Sequence, residues 1–234
     1  MNSSAATQSG ASQPGDLSPV VFVVDDDVSV RESLGSLIRC VGWQTETFES
    51  AHAFLARPRH LAPGCLVLDV HLPDLSGMDV QQRIKGDRNY MPIIFITGDG
   101  NVPTTVQAMK AGAVEFLTKP ICDDALLEAI RSAIERSRAA LGQEAELRSL
   151  RDRYAGLSRR EREVMALVVA GLLNKQVGGE LDISEITVKA HRGSAMRKMK
   201  ARSLPELVNM AAKLSIVAPS PSRLRAGRLG PGTE

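Results

Sequence analysis

The chain has 234 residues, 43% hydrophobic but only 3% aromatic, so aliphatic cores in one large or two small domains are expected. No apolar run approaches the roughly 20 residues that span a bilayer. The Ser-, Ala-, Gln- and Gly-rich start Met1–Asp16 lacks the basic-then-apolar pattern of a signal peptide. The net charge of +2 hides a split: residues 20–138 carry 12 Lys/Arg against 16 Asp/Glu (−4), and residues 157–217 carry 11 against 6 (+5). The acidic half suits a metal or another cation, and the basic half suits a polyanion.

Elements follow in chain order. Residues 20–24 form a continuous apolar run, as do Cys65–Leu68 and Ile93–Ile96, with a weaker run at Ala113–Leu117. Such runs, apolar without alternation, predict strands buried on both faces. A further strand is predicted near Gln44–Thr47. Helices are predicted between them: one with Val30, Leu34, Leu37, Ile38 and Val41 at helical spacing, one capped by Ser50 through Leu55, then Gly77–Lys85, Pro103–Ala111 and Asp123–Leu141. Leu126, Leu127, Ile130 and Ile134 form the stripe of the last. Five β-α units in alternation predict a parallel α/β sheet.

Residues 142–156 are charged and read as a linker in helical form. Ser158 and Glu161 have capping-box spacing before an apolar helix over Val164–Ala170, which Gly171 stops. A short helix over Asn174–Leu181, the turn Asp182-Ile183-Ser184, a third helix capped by Ser184 through about Lys200, and a fourth started by Ser203 and Pro205 complete an all-helical module. The tail from Pro219 is rich in Pro, Gly, Ser and Arg and is expected to be disordered. Cys40, Cys65 and Cys122, odd in number and set among apolar residues, read as buried free thiols of a protein in the reducing cytoplasm.

Each strand of the first half ends in a polar group: Asp25-Asp26-Asp27, Asp69, Thr97, and Thr118-Lys119-Pro120. Ligands of open parallel sheets bind beyond the carboxyl ends of the strands, so these groups are expected to converge. Crowded carboxylates repel, so one must protonate or a cation must bind, and Mg²⁺, a hard ion that takes oxygen ligands, is the natural cation. A carboxylate can also be the nucleophile toward phosphorus, a reaction that needs positioning and charge neutralisation above all. Asp69 is then the acceptor. Asp25 and Asp26 serve the metal with Asp69 and the backbone carbonyl of His71, while Thr97 and Lys119 meet phosphoryl oxygens. Taken singly, each of these residues is more simply structural. Asp27 reads as a helix cap, and the His71 imidazole as neither ligand nor catalyst.

The segments Val23–Asp27, Leu68–Gly77, Phe95–Gly98 and Phe116–Pro120 resemble the signature segments of response-regulator receiver domains over about residues 18–138. The resemblance implies a flavodoxin-like (βα)5 fold, phosphorylation of Asp69 by a sensor histidine kinase, and coupled movement of Thr97 and Phe116. Phe116 stands where relatives often have Tyr, so a hydroxyl-mediated partner contact there is excluded.

The basic module carries the short helix, tight turn and capped longer helix of a helix-turn-helix. Val188, Ala195, Met196 and Met199 form the inward stripe of the longer helix, whose size fits the major groove. Leu157–Val164, Gly171–Lys175, Leu181–Ser184, Thr187–Arg192 and Lys198-Met199 are similar to the LuxR/FixJ/NarL-type DNA-binding domain. The resemblance implies contacts from Asn174, Lys175, Ser184, Thr187, Lys189, His191, Arg192 and Lys198. Gly178-Gly179 and Gly193 depart from it, and Val188 is read as core.

The whole chain is thus expected to comprise a disordered start (1–17), a receiver domain (18–138), a helical linker (139–156), a LuxR-type four-helix domain (157–217) and a disordered tail (218–234). It resembles the FixJ branch of regulators, including those of aromatic catabolism. The implied partners are a sensor histidine kinase, promoter DNA, RNA polymerase and, on phosphorylation, a second copy of the chain; no membrane is implied. The expected role is transcriptional activation, not enzymatic catalysis. Two alternatives stand beside it. A phosphatase or phosphotransferase with an aspartyl intermediate would usually need a second carboxylate, which Asp69-Val70-His71 lacks. An interaction module with a vestigial pocket would take no phosphoryl group.

Overall fold

The computed structural model of the chain describes residues 18–58, 62–84, 90–98, 106 and 108–216. The segments expected to be disordered, residues 103–105 and 107 of the helix predicted over Pro103–Ala111, and Lys85 lie outside them, and Val106 and Ala108–Lys110 are helical. By contacts the chain divides into two units, between Gln143 and Glu144.

The first unit contains strands β1 (Val20–Val24), β2 (Gln44–Phe48), β3 (Gly64–Asp69), β4 (Ile93–Thr97) and β5 (Glu115–Thr118). All pairings are parallel, in the order β2-β1-β3-β4-β5. Helices α1 (Val28–Cys40), α2 (Ala51–Ala56), α3 (Gly77–Ile84) and α4 (Asp123–Ala155) join it. Successive side chains of a strand point to opposite faces, so each run feeds two cores. Phe22, Val24, Leu66, Leu68 and Phe95 pack with Phe54 of α2 and Val80 of α3. Val21, Val23, Cys65, Val67, Ile94 and Ile96 pack with Leu34 and Ile38 of α1 and Leu126 and Ile130 of α4. Helices on both faces explain why β1, β3 and β4 read as unbroken apolar runs. The strand order reverses between β1 and β3, the place where open α/β sheets form their crevice.

The second unit adds α5 (Arg159–Val169), α6 (Asn174–Leu181), α7 (Glu185–Met199) and α8 (Leu204–Lys213). Its starts are the predicted ones: Ser158 caps α5 in a reciprocal box with Glu161, Ser184 accepts from the Thr187 N–H, and Ser203 accepts from the Glu206 N–H. Such caps are worth about 1 kcal/mol each. Gly171 ends the α5 region at φ +93°, and Asp182 turns α6 into α7 in the left-handed region at φ 57°.

One expectation gains a further role and one needs correction. Residues 142–155 continue α4 as part of one 33-residue helix, as expected, and they also contribute to a core. Leu150 is buried and Tyr154 half-buried in a core with Leu157, Met165, Ala195, Met199 and Leu207, which draws this stretch into the second unit. The cysteines are free, but only Cys65 is buried. Cys40 closes α1 and Cys122 lies just before α4, at element ends that face solvent. Burial pushes the Cys65 thiol up to about 12.

Candidate functional site

At the carboxyl edge of the sheet, Asp25 follows β1 and is fully buried, while Asp69 closes β3 at 5% exposure. Asp26 is exposed beside them. Asp25, Asp26 and Asp69 each offer a carboxylate oxygen, all within 4.8 Å of one another. Lys119, just past β5, reaches across with its Nζ donating to Asp25 Oδ2 at 2.7 Å and Asp69 Oδ2 at 2.6 Å. The convergence expected from the strand ends is therefore present, although Asp25 and Lys119 lie 94 residues apart.

The electrostatics follow from burial. Asp25 is pushed above the ordinary carboxylate range, chiefly because burial disfavours its charge, and against the pull of Lys119 and of the Asp27 N–H. Burial works against the Lys119 charge too, but its hydrogen bonds to Asp25 and Asp69 prevail and hold its pKa above the ordinary lysine value. Three carboxylates share one ammonium, a negative excess that suits a divalent cation. The donor set is all oxygen, as a hard ion such as Mg²⁺ requires.

The backbone around Asp69 is tightly set. Its Oδ1 accepts from the His71 N–H at 2.9 Å. Gly77, which opens α3, approaches so closely that a Cβ there would stand 2.6 Å from the Asp69 carbonyl oxygen. Asp74 fastens the loop between β3 and α3 to the start of α2: its carboxylate accepts from the Ala51 and His52 N–H groups at 3.3 and 2.8 Å. Burial alone would raise the Asp74 carboxyl, but these bonds and those from the His52 ring and the Leu75 N–H outweigh it and pull the pKa down to about 2. Asp27 is the helix cap expected of it, accepting from the Ser29 and Val30 N–H groups.

Thr97 is fully buried at the end of β4, and its Oγ1 lies 3.3 Å from His71 Nδ1, with the donor set by the tautomer. The imidazole read from sequence as a bystander thus contacts the residue expected to bind phosphoryl oxygen. Phe116 packs partly buried beside Phe95, ring centroids 6.3 Å apart.

In the second unit Val188, Ala195 and Met199 are buried and Met196 is half-buried, the predicted inward stripe of α7. Lys175 and Lys189 are exposed, and Arg192 Nη1 donates to Asn174 Oδ1 at 3.2 Å, tying α7 to the start of α6. Ser184 and Thr187 are joined through their hydroxyls at 2.8 Å, and His191 is half-buried. Lys198 has a second employment: its Nζ donates at 2.7 Å to Glu161, itself only 5% exposed. Sequence spacing identified Glu161 only as a cap. Its tie to Lys198, 37 residues away, left no local signal.

Two family descriptions match the chain: a response regulator receiver domain over residues 21–131, and bacterial regulatory proteins of the luxR family over residues 155–211. The response regulator protein TodT of Pseudomonas putida is 44% identical over 207 residues, covering 88% of this chain and 91% of TodT. The transcriptional regulatory protein FixJ of Bradyrhizobium diazoefficiens is 42% identical over 197 residues, covering 84% of this chain and 96% of FixJ. Among solved structures, that of the response regulator StyR is similar at a TM-score of 0.75 and 44% identity, covering 84% of this chain and all of that one.

Proposed function

The chain belongs to the response regulators that join a receiver domain to a LuxR-type DNA-binding domain, and on that premise we propose that Asp69 accepts a phosphoryl group from a sensor histidine kinase and thereby controls transcription. The observation that carries this reading is the clustering of Asp25, Asp26 and Asp69 with Lys119 at the edge of the sheet. An Asp69 carboxylate oxygen forms the new bond to phosphorus as the bond from phosphorus to the donor imidazole nitrogen breaks. Asp25, Asp26, Asp69 and the His71 carbonyl would hold Mg²⁺, which when bound neutralises charge on the phosphoryl oxygens. Lys119 leaves its carboxylate pair to meet one phosphoryl oxygen, and the Thr97 hydroxyl meets another. The movement of Thr97 leaves its contact with His71 and gives Phe116 room to follow, a two-state switch biased by the new charge.

The output is read in the second unit. Lys189, His191, Arg192 and Thr187 face base edges or phosphates, with Asn174, Lys175 and Ser184 on the backbone side. Lys198 contributes phosphate affinity while keeping its tie to Glu161. Phosphorylation favours a homodimer that binds paired half-sites of promoter DNA in the cytoplasm and activates transcription through RNA polymerase. The aspartyl phosphatase alternative gains no support from relatives named as a response regulator protein and a transcriptional regulatory protein. The test is the affinity of the full chain for its operator with and without acetyl phosphate, beside an Asp69→Asn control. Tightening in the wild type alone supports the reading, and an equal response of the variant overturns it.

A further inference from the structure

Among the described residues, Ile186 is the most exposed large apolar side chain, at 79%, and it sits in the first turn of α7. An α-helix turns about 100° per residue. With Val188, Ala195 and Met199 facing the core, Ile186, Ala190, Gly193 and Arg197 occupy the opposite side. Ala190 and Arg197 are exposed, and a Cβ added at Gly193 would meet only Arg197 Nη1, at 3.8 Å. Between its first turn and Arg197 the outer face of α7 is therefore nearly bare backbone, with one isoleucine at its leading end.

The surroundings of this face are cationic. Lys189 flanks it, its side chain 62% exposed and held 3.1 Å from Glu185, within a region that carries 11 Lys/Arg against 6 Asp/Glu. A polyanion is the complementary partner, yet an isoleucine gains nothing from phosphate. Fully burying such a side chain is worth roughly 1.5–3 kcal/mol, and Ile186 makes little use of it within the chain. On a duplex, the apolar feature of the major-groove base edges is the thymine 5-methyl group.

We propose that Ile186 is a specificity-determining residue that reads a thymine methyl group in the operator, with Ala190 and Gly193 leaving α7 free to approach the base edges closely. The inference rests on the DNA-binding reading of the second unit and adds the chemistry it recognises. The position also suits direct readout, because side chains near the start of a recognition helix reach base edges.

The test uses the full chain and duplexes that it selects from random DNA, with and without acetyl phosphate. Each thymine of the selected duplex is replaced in turn by deoxyuridine, which removes the methyl and keeps the pairing. At one thymine per half-site the wild type should lose about three- to fivefold in affinity, the transfer value of one methyl. Ile186→Ala should lose a similar factor on the thymine duplex and nothing more on the uracil duplex. Uniform indifference to uracil, or losses that multiply in the combined substitution, would overturn the proposal while leaving DNA binding intact. Failure to select any duplex would overturn the DNA-binding reading and this inference with it.

Discussion

Replacing Glu161 by Gln removes one charge from the best-connected polar site of the helical unit. Its carboxylate accepts from Lys198 Nζ at 2.7 Å, Ser194 Oγ at 2.6 Å and the Ser158 N–H at 2.6 Å. Lys198, then Ser194, then the Ser158 N–H pull its pKa from 4.5 to about 2. A shift of that size corresponds to at most roughly 3 kcal/mol, since one pKa unit is about 1.4 kcal/mol. The Lys198 side chain is 44% exposed, so solvent screening reduces the figure to about 2 kcal/mol. The folded pKa is depressed, so this stability is complete above pH 4.5 and is lost as pH falls toward 2. Glu161→Gln should therefore cost about 2 kcal/mol at pH 7, and the difference from wild type should shrink by more than half by pH 3. Urea unfolding followed by far-UV circular dichroism measures it, while Trp43, the one tryptophan, reports the first unit separately. A loss below about 0.5 kcal/mol, or one equal at both pH values, would refute the reasoning.

Two adjacent glycines of α6 should respond in opposite directions. Gly179 faces open space, so Gly179→Ala should stabilise the helical unit by about 0.5–1 kcal/mol in urea unfolding. A Cβ at Gly178 would stand 2.8 Å from the Ile183 carbonyl oxygen in the turn, so Gly178→Ala should destabilise it. In the acidic pocket, burial raises the Asp25 pKa, so its ionised form opposes folding as pH rises above the unfolded value of 3.8. Asp25→Asn should raise the urea midpoint of the first unit at pH 7. It should also diminish the extra stability that added Mg²⁺ gives the wild type, because a ligand stabilises only the state that binds it.

Much of this organisation was legible because buried parallel strands write themselves as unbroken apolar runs. β1 matches its prediction, and β3 and β4 run one or two residues beyond theirs. The fifth strand was harder. Ala113 and Val114 are apolar, but the ladder with β4 starts at Glu115, on an edge strand half exposed to solvent. The caps at Ser50, Ser158, Ser184 and Ser203 were readable from local spacing alone. Long-range ties were not. The His71–Thr97 contact spans 26 residues and the Glu161–Lys198 pair 37, and neither leaves a periodic trace. Charge density hid the core role of Leu150 and Tyr154. Gly178 read only as a departure from the family pattern, but close packing against the turn requires it.

The central claim is that Asp69 carries the phosphoryl group. Treating the full chain with acetyl phosphate and Mg²⁺, reducing the acyl phosphate with borohydride, and mapping the resulting homoserine by peptide mass spectrometry tests it directly. The account predicts the modification at Asp69 alone, dependent on Mg²⁺ and lost in Asp69→Asn. Modification at Asp25 or Asp26 instead, or none under conditions that label another receiver domain, would contradict it.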